Sequence, residues 1–504
     1  MILLGKKTRR HKETRDNDFI FTSYQPDDEV TGSAFLLEIP KEGVKLLIDC
    51  GAYQNSALNT KQIFDINGRK IKKIPWEELT HIVISHAHAD HCGLLPLVMR
   101  DELGFKGKII CTEASQPLIS LNCQDAAFVM GSQVRSWNKL NPKKPILPLF
   151  GIEHASELIK YLQGYSYNEK IPLTQNVSIE LVPTGHLLGD ASIIIEYQID
   201  EWTTRRVFYS GDTNAWCKMP RPFTKQFDTD RVFDCDIMIC ESTYGCRKHS
   251  GQNATDVLED VVKNHVIKNR GVLMIPTFAI GRATQVAHLL KEIWNRNPEW
   301  EKINVPIYLA GMMMCKSFNI YGNEYYQRNF MDQEWQESEV FKWGRIQRID
   351  KFNEVEDKLI DNKPKIILVS SGMCTGGYST YLCQQMIGRP NVGILFSGYV
   401  GEGTTGRAIL DTVTKDNKYV TIQGVKYKVG CQIFDRLELS GHADSSQLMD
   451  LATKSFNQDK LKNIIIVHGG HDERQFMIDE LSHKMDVSKK QVMTIKEGES
   501  IRML

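Results

Sequence analysis

Short apolar runs punctuated by turn residues set the texture of this chain, and the texture changes near residue 245. Before that point the runs are about five residues long, rich in Ile, Val, Leu and aromatics, and several end on an ionisable side chain. Such runs predict buried or half-buried β-strands. Residues 34–39 and 44–48 read as one hairpin ending at Asp49 and Gly51. Residues 81–85 read as a buried strand that breaks into a turn, with a helix over 94–100 behind it. Further strands are expected over 107–112, 179–183, 193–197, 206–210 and 235–241, with a helix over 113–129. After residue 245 the order becomes helix 253–269, strand 271–276, helix 282–295, strand 305–310, helix 313–321, strand 365–370, helix 379–387 and strand 391–398. Continuously apolar strands in βαβα order predict a parallel sheet with helices on its faces. The remainder holds a Gly-rich crossing (Gly398, Gly401, Gly403, Gly406), a stretch carrying His442, a strand at 463–467 and a polar helix over 472–484. No period of ~20–50 residues recurs, which excludes a solenoid.

At 504 residues the chain is too long for one core, and two or three domains are expected. Lys plus Arg and Asp plus Glu are both 62, so net charge cannot draw the protein to nucleic acid. A local basic patch or bound cations would have to do so. The twelve cysteines are scattered without a Cys-x-x-Cys pair, as expected of reduced thiols in a cytoplasmic protein. No apolar run reaches the ~18 residues of a membrane span, and the start, Met1-Ile-Leu-Leu-Gly-Lys-Lys, does not read as a signal peptide. Lys6, Lys7, Arg9, Arg10, Lys12 and Arg15 make a basic opening, read as a solvated tail in preference to a nucleic-acid arm.

The densest chemistry is His86-Ala-His88-Ala-Asp90-His91. While the chain is extended, side chains two apart point the same way, so His86 and His88 can face one ion together. Asp90 reads as the N-cap of the next helix and His91 as its first turn, so this pair points elsewhere and suits a second ion. Imidazole and carboxylate donors without thiolate fit zinc first, with manganese or iron as alternatives. Asp49 is expected behind them, orienting a ligand or the attacking water. His186, Asp212 and Glu241 each follow an apolar strand, which suggests several strands delivering ligands to one end of a sandwich. The turn from Ser371 and Gly372 to Gly377 opens a helix with free amides, a natural anion site.

With Val30-Thr-Gly-Ser33, Thr184-Gly-His186, Ser210-Gly-Asp212, Glu241-Ser-Thr-Tyr-Gly245, Pro276-Thr-Phe-Ala-Ile-Gly-Arg282, Ser371-Gly-Met373 and Ser440-Gly-His442-Ala, this cluster resembles the β-CASP branch of the metallo-β-lactamase superfamily. Within that branch the chain looks like a prokaryotic relative of the endonuclease subunit of the cleavage and polyadenylation specificity factor. The resemblance implies an α/β fold: a metallo-β-lactamase αββα sandwich with an inserted parallel-sheet α/β (β-CASP) domain. The corresponding division is a basic extension over 1–17, the first part of the sandwich over 18–243, the inserted domain over 244–402 and the rest of the sandwich over 403–504. It implies that His86, His88 and His186 hold one Zn²⁺ (or Mn²⁺), that Asp90, His91 and His442 hold the other, and that Asp212 bridges them. It further implies two-metal phosphodiester hydrolysis, with Asp90, Glu241 and Asp49 as catalytic carboxylates and Arg282, Ser371, Gly372 and Arg407 as substrate contacts. RNA is the implied partner, with DNA as the alternative substrate and a non-catalytic RNA-binding or scaffold subunit as the alternative role. No membrane is involved, and a homodimer is among the assemblies allowed. Three positions depart from the pattern. Ala408 stands where the eukaryotic enzymes have a histidine paired with the carboxylate matching Glu241, which leaves the leaving-group acid to Glu241, Arg407 or a water. Residues 310–314 read Ala-Gly-Met-Met-Met, and Gly470 stands where a Glu often follows His-Gly.

Overall fold

The computed structural model describes residues 18–214, 224–228, 230–336, 338–414, 418–434, 436–485 and 491–503. The basic opening therefore lies outside the described residues. Two seven-stranded mixed sheets face each other. The first runs, in spatial order, through Ser500–Met503, Phe19–Ser23, Phe35–Ile39, Val44–Ile48, His81–Val83, Lys108–Thr112 and Leu162–Tyr165. The hairpin expected from the sequence is present, with Phe35 opposite Ile48 and Ile39 opposite Val44. The second sheet runs through Gln491–Thr494, Asn463–Val467, Ile237–Glu241, Thr204–Tyr209, Ser192–Gln198, Val177–Val182 and Lys170–Pro172.

Strand side chains alternate between faces, and here both faces of both sheets are apolar. Phe21, Phe35, Leu46, Ile48 and Val83 meet Ile179, Ile193, Ile195, Val207 and Ile239 between the sheets. The opposite set of the first sheet, Leu36, Leu47, Ile82 and Ile109, packs with the helix Ser115–Leu140. That of the second, Ile194, Phe208, Met238 and Ile464, packs with the helices Ser445–Lys454 and His471–Lys484. The result is an αββα sandwich.

A third, six-stranded sheet is parallel throughout: Ile346–Ile349, Ile307–Ala310, Lys365–Val369, Val272–Pro276, Val392–Ile394 and Gln432–Ile433. It takes its last strand from beyond residue 402. One face, with Leu273, Ile275 and Leu309, buries the helices Ala254–Val261 and Arg282–Arg296; the other, with Met274 and Ile367, buries the helix Gly377–Met386. Trp294 anchors the first of these layers, fully buried and edge-on to Trp300 at 5.4 Å and Trp343 at 5.7 Å. Trp294→Ala should cost ~3–5 kcal/mol, the usual toll of an aromatic core truncation, read as a lower denaturant midpoint.

Several elements differ from the sequence expectation. The stretch 94–100 is a 3-10 turn, Leu95–Met99, with Pro96 tolerated in its first turn. The helix predicted over 113–129 starts at Ser115 and runs to Leu140. A helix at Thr60–Lys73, capped by Asn59 and Gln62, lies where the sequence reading placed no element. The Gly-rich crossing contains a short helix, Thr405–Asp411. No helix among the described residues is long and apolar enough to cross a membrane.

Candidate metal centre

The ionisable side chains meet at one edge of the sandwich because neighbouring strands stop there in succession. Asp49 follows Val44–Ile48, the His86 cluster follows His81–Val83, His186 follows Val177–Val182, and Asp212 follows Thr204–Tyr209. Glu241 ends its own strand, and His468 follows Asn463–Val467, which lies parallel to Ile237–Glu241 with Glu241 beside Val467. Asp49 (φ 61°) and His468 (φ 51°) leave their strands through the left-handed region, a conformation costing ~1–3 kcal/mol in non-glycine residues and concentrated at functional sites.

Two groups form around Asp212. His86 Nε2 and His186 Nε2 each lie 3.1 Å from His88 Nδ1, and 3.6 Å and 3.7 Å from Asp212 Oδ2. On the other side His91 Nε2 and His468 Nε2 stand 3.2 Å and 3.3 Å from Asp212 Oδ1, with Asp90 in the same cluster. The helix here is Ala89–Cys92 with His88 as its N-cap, so Asp90 lies in the first turn instead of capping it. His91 Nε2 and Asp212 Oδ1 are fully buried and 3.2 Å apart, but not in hydrogen-bond geometry with each other or with any other group. Orphaned donors and acceptors of this kind call for a further partner, and imidazole with carboxylate is a donor set for zinc or manganese.

His442 departs from the sequence expectation. The resemblance groups it with Asp90 and His91, but His468 occupies that place. His442 faces Glu241, with Nδ1 3.0 Å from Oε2 and 3.2 Å from Oε1, while its Nε2 lies 3.8 Å from Asp212 Oδ2. Glu241 thus has a histidine partner although Ala408 sits at an exposed position of the helix Thr405–Asp411. His468 was passed over, although the same signal that flagged Asp212 precedes it: an apolar strand ending on a ligand-type side chain.

Behind the donors lies a hydrogen-bonded shell. Asp49 Oδ2 is 2.8 Å from His91 Nδ1 and also accepts from the Ser85 hydroxyl (2.8 Å) and Tyr209 (2.9 Å), while Oδ1 accepts from the Ser85 amide at 2.7 Å. His186 Nδ1 sits 2.6 Å from the Gly441 carbonyl, and Ser33 Oγ 2.8 Å from His468 Nδ1. Asp190, another residue the sequence did not flag, accepts from Thr184 Oγ1 and from the amides of His186 and Leu187, fixing the Thr-Gly-His turn. Such outer partners fix tautomer and ring orientation.

Crowding sets the protonation states. Burial, then neighbouring imidazoles, drive His86 and His186 well below the usual histidine range. Burial takes His88 and His468 to about 3 despite Asp212. These four rings are neutral, as ligands must be. Burial opposes charge on His91 too, but Asp212 and Asp49 outweigh it and hold the metal-free ring protonated, a proton that ligation would have to displace. Asp212 is held well below the carboxylate range: burial works against it, and His468 and His91 prevail. Burial lifts Asp90 to about 6.

The expected substrate contacts divide. Arg282 reaches the centre: a Cβ on Gly441 would collide with its guanidinium and come within 2.7 Å of His186 Nδ1. Gly372 packs against Phe278, and Ser371 Oγ accepts from the Thr375 amide at 3.0 Å. Arg407 is engaged by Asp411 on its own helix at 2.8 Å and by Glu402, just before that helix, at 3.4 Å. Phe278 and Tyr399 expose about two-fifths of their surface, and Arg247 lies over Tyr244 and Tyr399, 5.9 Å and 5.7 Å from their ring centres. Tyr244 in turn is 5.9 Å from the His442 ring.

Comparison with known proteins finds three family models in order along the chain. Residues 27–101 match the metallo-beta-lactamase superfamily, 283–409 the Beta-Casp domain, and 426–490 the Zn-dependent metallo-hydrolase RNA specificity domain. The chain is similar to the transcription termination factor FttA of Methanococcus maripaludis, 26% identical over 99% of this chain and 74% of that protein. It is similar to cleavage and polyadenylation specificity factor 73 of Drosophila melanogaster at 25% identity, covering 88% of this chain but 59% of the fly protein's length. An RNase J-like protein of Methanocaldococcus jannaschii is 25% identical over 86% of this chain and 89% of its own length. Among solved structures, one of a protein of unknown function from Enterococcus faecalis V583 shares the fold: TM-score 0.52, 13% identity, 96% of this chain and 99% of that one.

Proposed function

Since the chain belongs to the β-CASP branch of the metallo-β-lactamase superfamily and is a metal-dependent hydrolase, we propose that it is a two-cation ribonuclease working in the cleft between sandwich and inserted sheet. The observation that carries this reading is the division of Asp212 between two histidine groups, one oxygen to each. His86, His88 and His186 would hold one cation and Asp90, His91 and His468 the other, with zinc the first choice and manganese the alternative. Bound there, a pair of divalent cations supplies Lewis acidity toward phosphate oxygens and acidifies water for attack.

The chain's own side chains account for the remainder of the chemistry. Asp49 fixes the His91 ring through Nδ1. Glu241 accepts from His442 Nδ1, which leaves Nε2 facing the cleft as the proton donor to the departing oxygen. Arg282 is suited to a non-bridging phosphate oxygen beside His186. RNA as the polymer is favoured by the RNA specificity domain over 426–490 and by the RNA-related names of the relatives. The exposed rings of Phe278 and Tyr399 are suited to stacking unpaired bases. Tyr399→Ala should therefore weaken single-strand binding by ~1–3 kcal/mol, whereas Arg282→Ala should lower the salt slope by ~1. Filter binding at several salt concentrations separates the two effects.

The decisive experiment incubates the purified chain with end-labelled RNA and, in parallel, DNA of the same sequence, with zinc or manganese. Wild type should cut RNA and a His86→Ala/Asp90→Ala variant should not. Equal products from both, or none from wild type, would end the proposal, and preferential DNA cutting would change the polymer.

A further inference from the structure

The helix Thr60–Lys73 turns a polar face inward, and its two buried side chains are Asn67 and Lys70. Asn67 holds both backbone groups of Tyr53, accepting from the amide at 2.8 Å and donating to the carbonyl at 3.1 Å. Lys70 is 1% exposed, and its Nζ donates to the carbonyls of Gly32, at 2.8 Å, and Gly51. Ammonium groups are rarely buried on carbonyl dipoles, because dehydration is costly. Burial is also what lowers this one to about 8.

The two carbonyls identify what the ammonium holds. They belong to separate loops, joined by the Gly51 amide donating to the Ser33 carbonyl at 2.8 Å. Together these loops are the floor beneath Asp90 and His91. The Ser33 amide donates to the Asp90 carbonyl at 2.8 Å, Cys50 to His91 at 2.7 Å, and Ala52 to Ala89 at 2.9 Å. The contact is so close that a Cβ on Gly51 would collide with the Asp90 carbonyl. Ser33 Oγ also meets His468 Nδ1 at 2.8 Å. The first histidine group is braced from elsewhere: His186 by Asp190 and Gly441, His86 by Ser85 Oγ at 3.1 Å.

We infer that Lys70 is a positioning residue for one of the two cation positions, that of Asp90, His91 and His468, acting through the Gly32–Ser33 and Cys50–Ala52 loops. The inference rests on the two-cation reading and assigns Lys70 no contact with substrate. Its test is metal affinity. The protein is stripped with a chelator and titrated with Zn²⁺ against a chromophoric competitor. Wild type should show two binding events. Lys70→Met should weaken one of them by ~10–100-fold, the usual effect of losing an outer partner, and leave the other unchanged. Ser33→Ala should give the same one-ion loss from the His468 side. Two unchanged events in Lys70→Met would overturn the inference, as would equal weakening of both ions with a lower thermal midpoint. If Lys70→Met does not fold, Lys70→Gln and Ser33→Ala decide the matter, and two unchanged events in both count against it. Wild type binding fewer than two ions would instead defeat the two-cation reading.

Discussion

Replacing Asp212 with alanine should abolish RNA cleavage and weaken metal binding at both positions at once. The loss should exceed the ~10²–10³ that removal of a single transition-state donor costs, because on the proposed reading one carboxylate would serve two cation positions. Its oxygens are not interchangeable. Oδ2 lies within 3.8 Å of His86, His186 and His442, while Oδ1 is within 3.3 Å of His91 and His468. The metal-free protein should suffer as well. Asp212 and Asp49 together hold His91 protonated against burial, and loss of Asp212 leaves that buried charge half compensated. Single-turnover cleavage and metal stoichiometry on the same preparation check the result. A variant that still retains two tightly held ions would show that Asp212 does not bridge, whereas His86→Ala should lose only one.

The parts of this centre that could be read from the sequence are those written locally. His86 and His88 lie two apart on extended chain, which turns both side chains to one side, so their convergence was legible from spacing alone. Asp49, Asp212 and Glu241 carried a second legible signal, an apolar strand ending on a carboxylate. The exchange of His442 for His468 was not legible, because a strand-end signal at His468 does not say which histidine meets Asp90 and His91; that depends on pairing. His468 is brought in by the Asn463–Val467 strand lying beside Ile237–Glu241, a contact between segments more than two hundred residues apart. His442 arrives on a loop, and only the position of Glu241 gives it a role. The helix Thr60–Lys73 was invisible for another reason. Its half-buried Ile63, Ile66 and Ile71 are diluted by Gly68 and by lysines, and its two fully buried side chains are an amide and an ammonium, which a search for apolar stripes does not count. The inserted parallel sheet, by contrast, was plain from its order of apolar strands and helices, since burial on both faces leaves nothing to alternate.

His442→Ala should lower kcat by ~10²–10⁴, the usual worth of a general acid, while both ions remain bound. That combination separates a proton donor from a ligand, and it contrasts with His468→Ala, which should lose an ion. The pH dependence follows from the surroundings of the ring. Burial alone would depress its pKa, but the Glu241 and Asp212 carboxylates outweigh burial and raise it to about 9. The acid must carry its proton to act, so the rate should fall on the alkaline side as the ring loses it, at a pH that Glu241 raises and that cations held at Asp212 would lower. Glu241→Gln removes the first of the two raising influences and leaves burial in place. The alkaline limb should then move to lower pH, with kcat reduced most where wild type is still fully protonated. For the same reason the pair stabilises the fold most at low pH: the contribution is complete below the ordinary histidine pKa of ≈ 6.5 and fades as pH rises toward the folded value. Rate profiles of wild type and Glu241→Gln from neutral to alkaline pH check both signs. Superimposable profiles would mean that Glu241 does not set the acidity of His442, and the proton to the leaving oxygen would have to come from elsewhere.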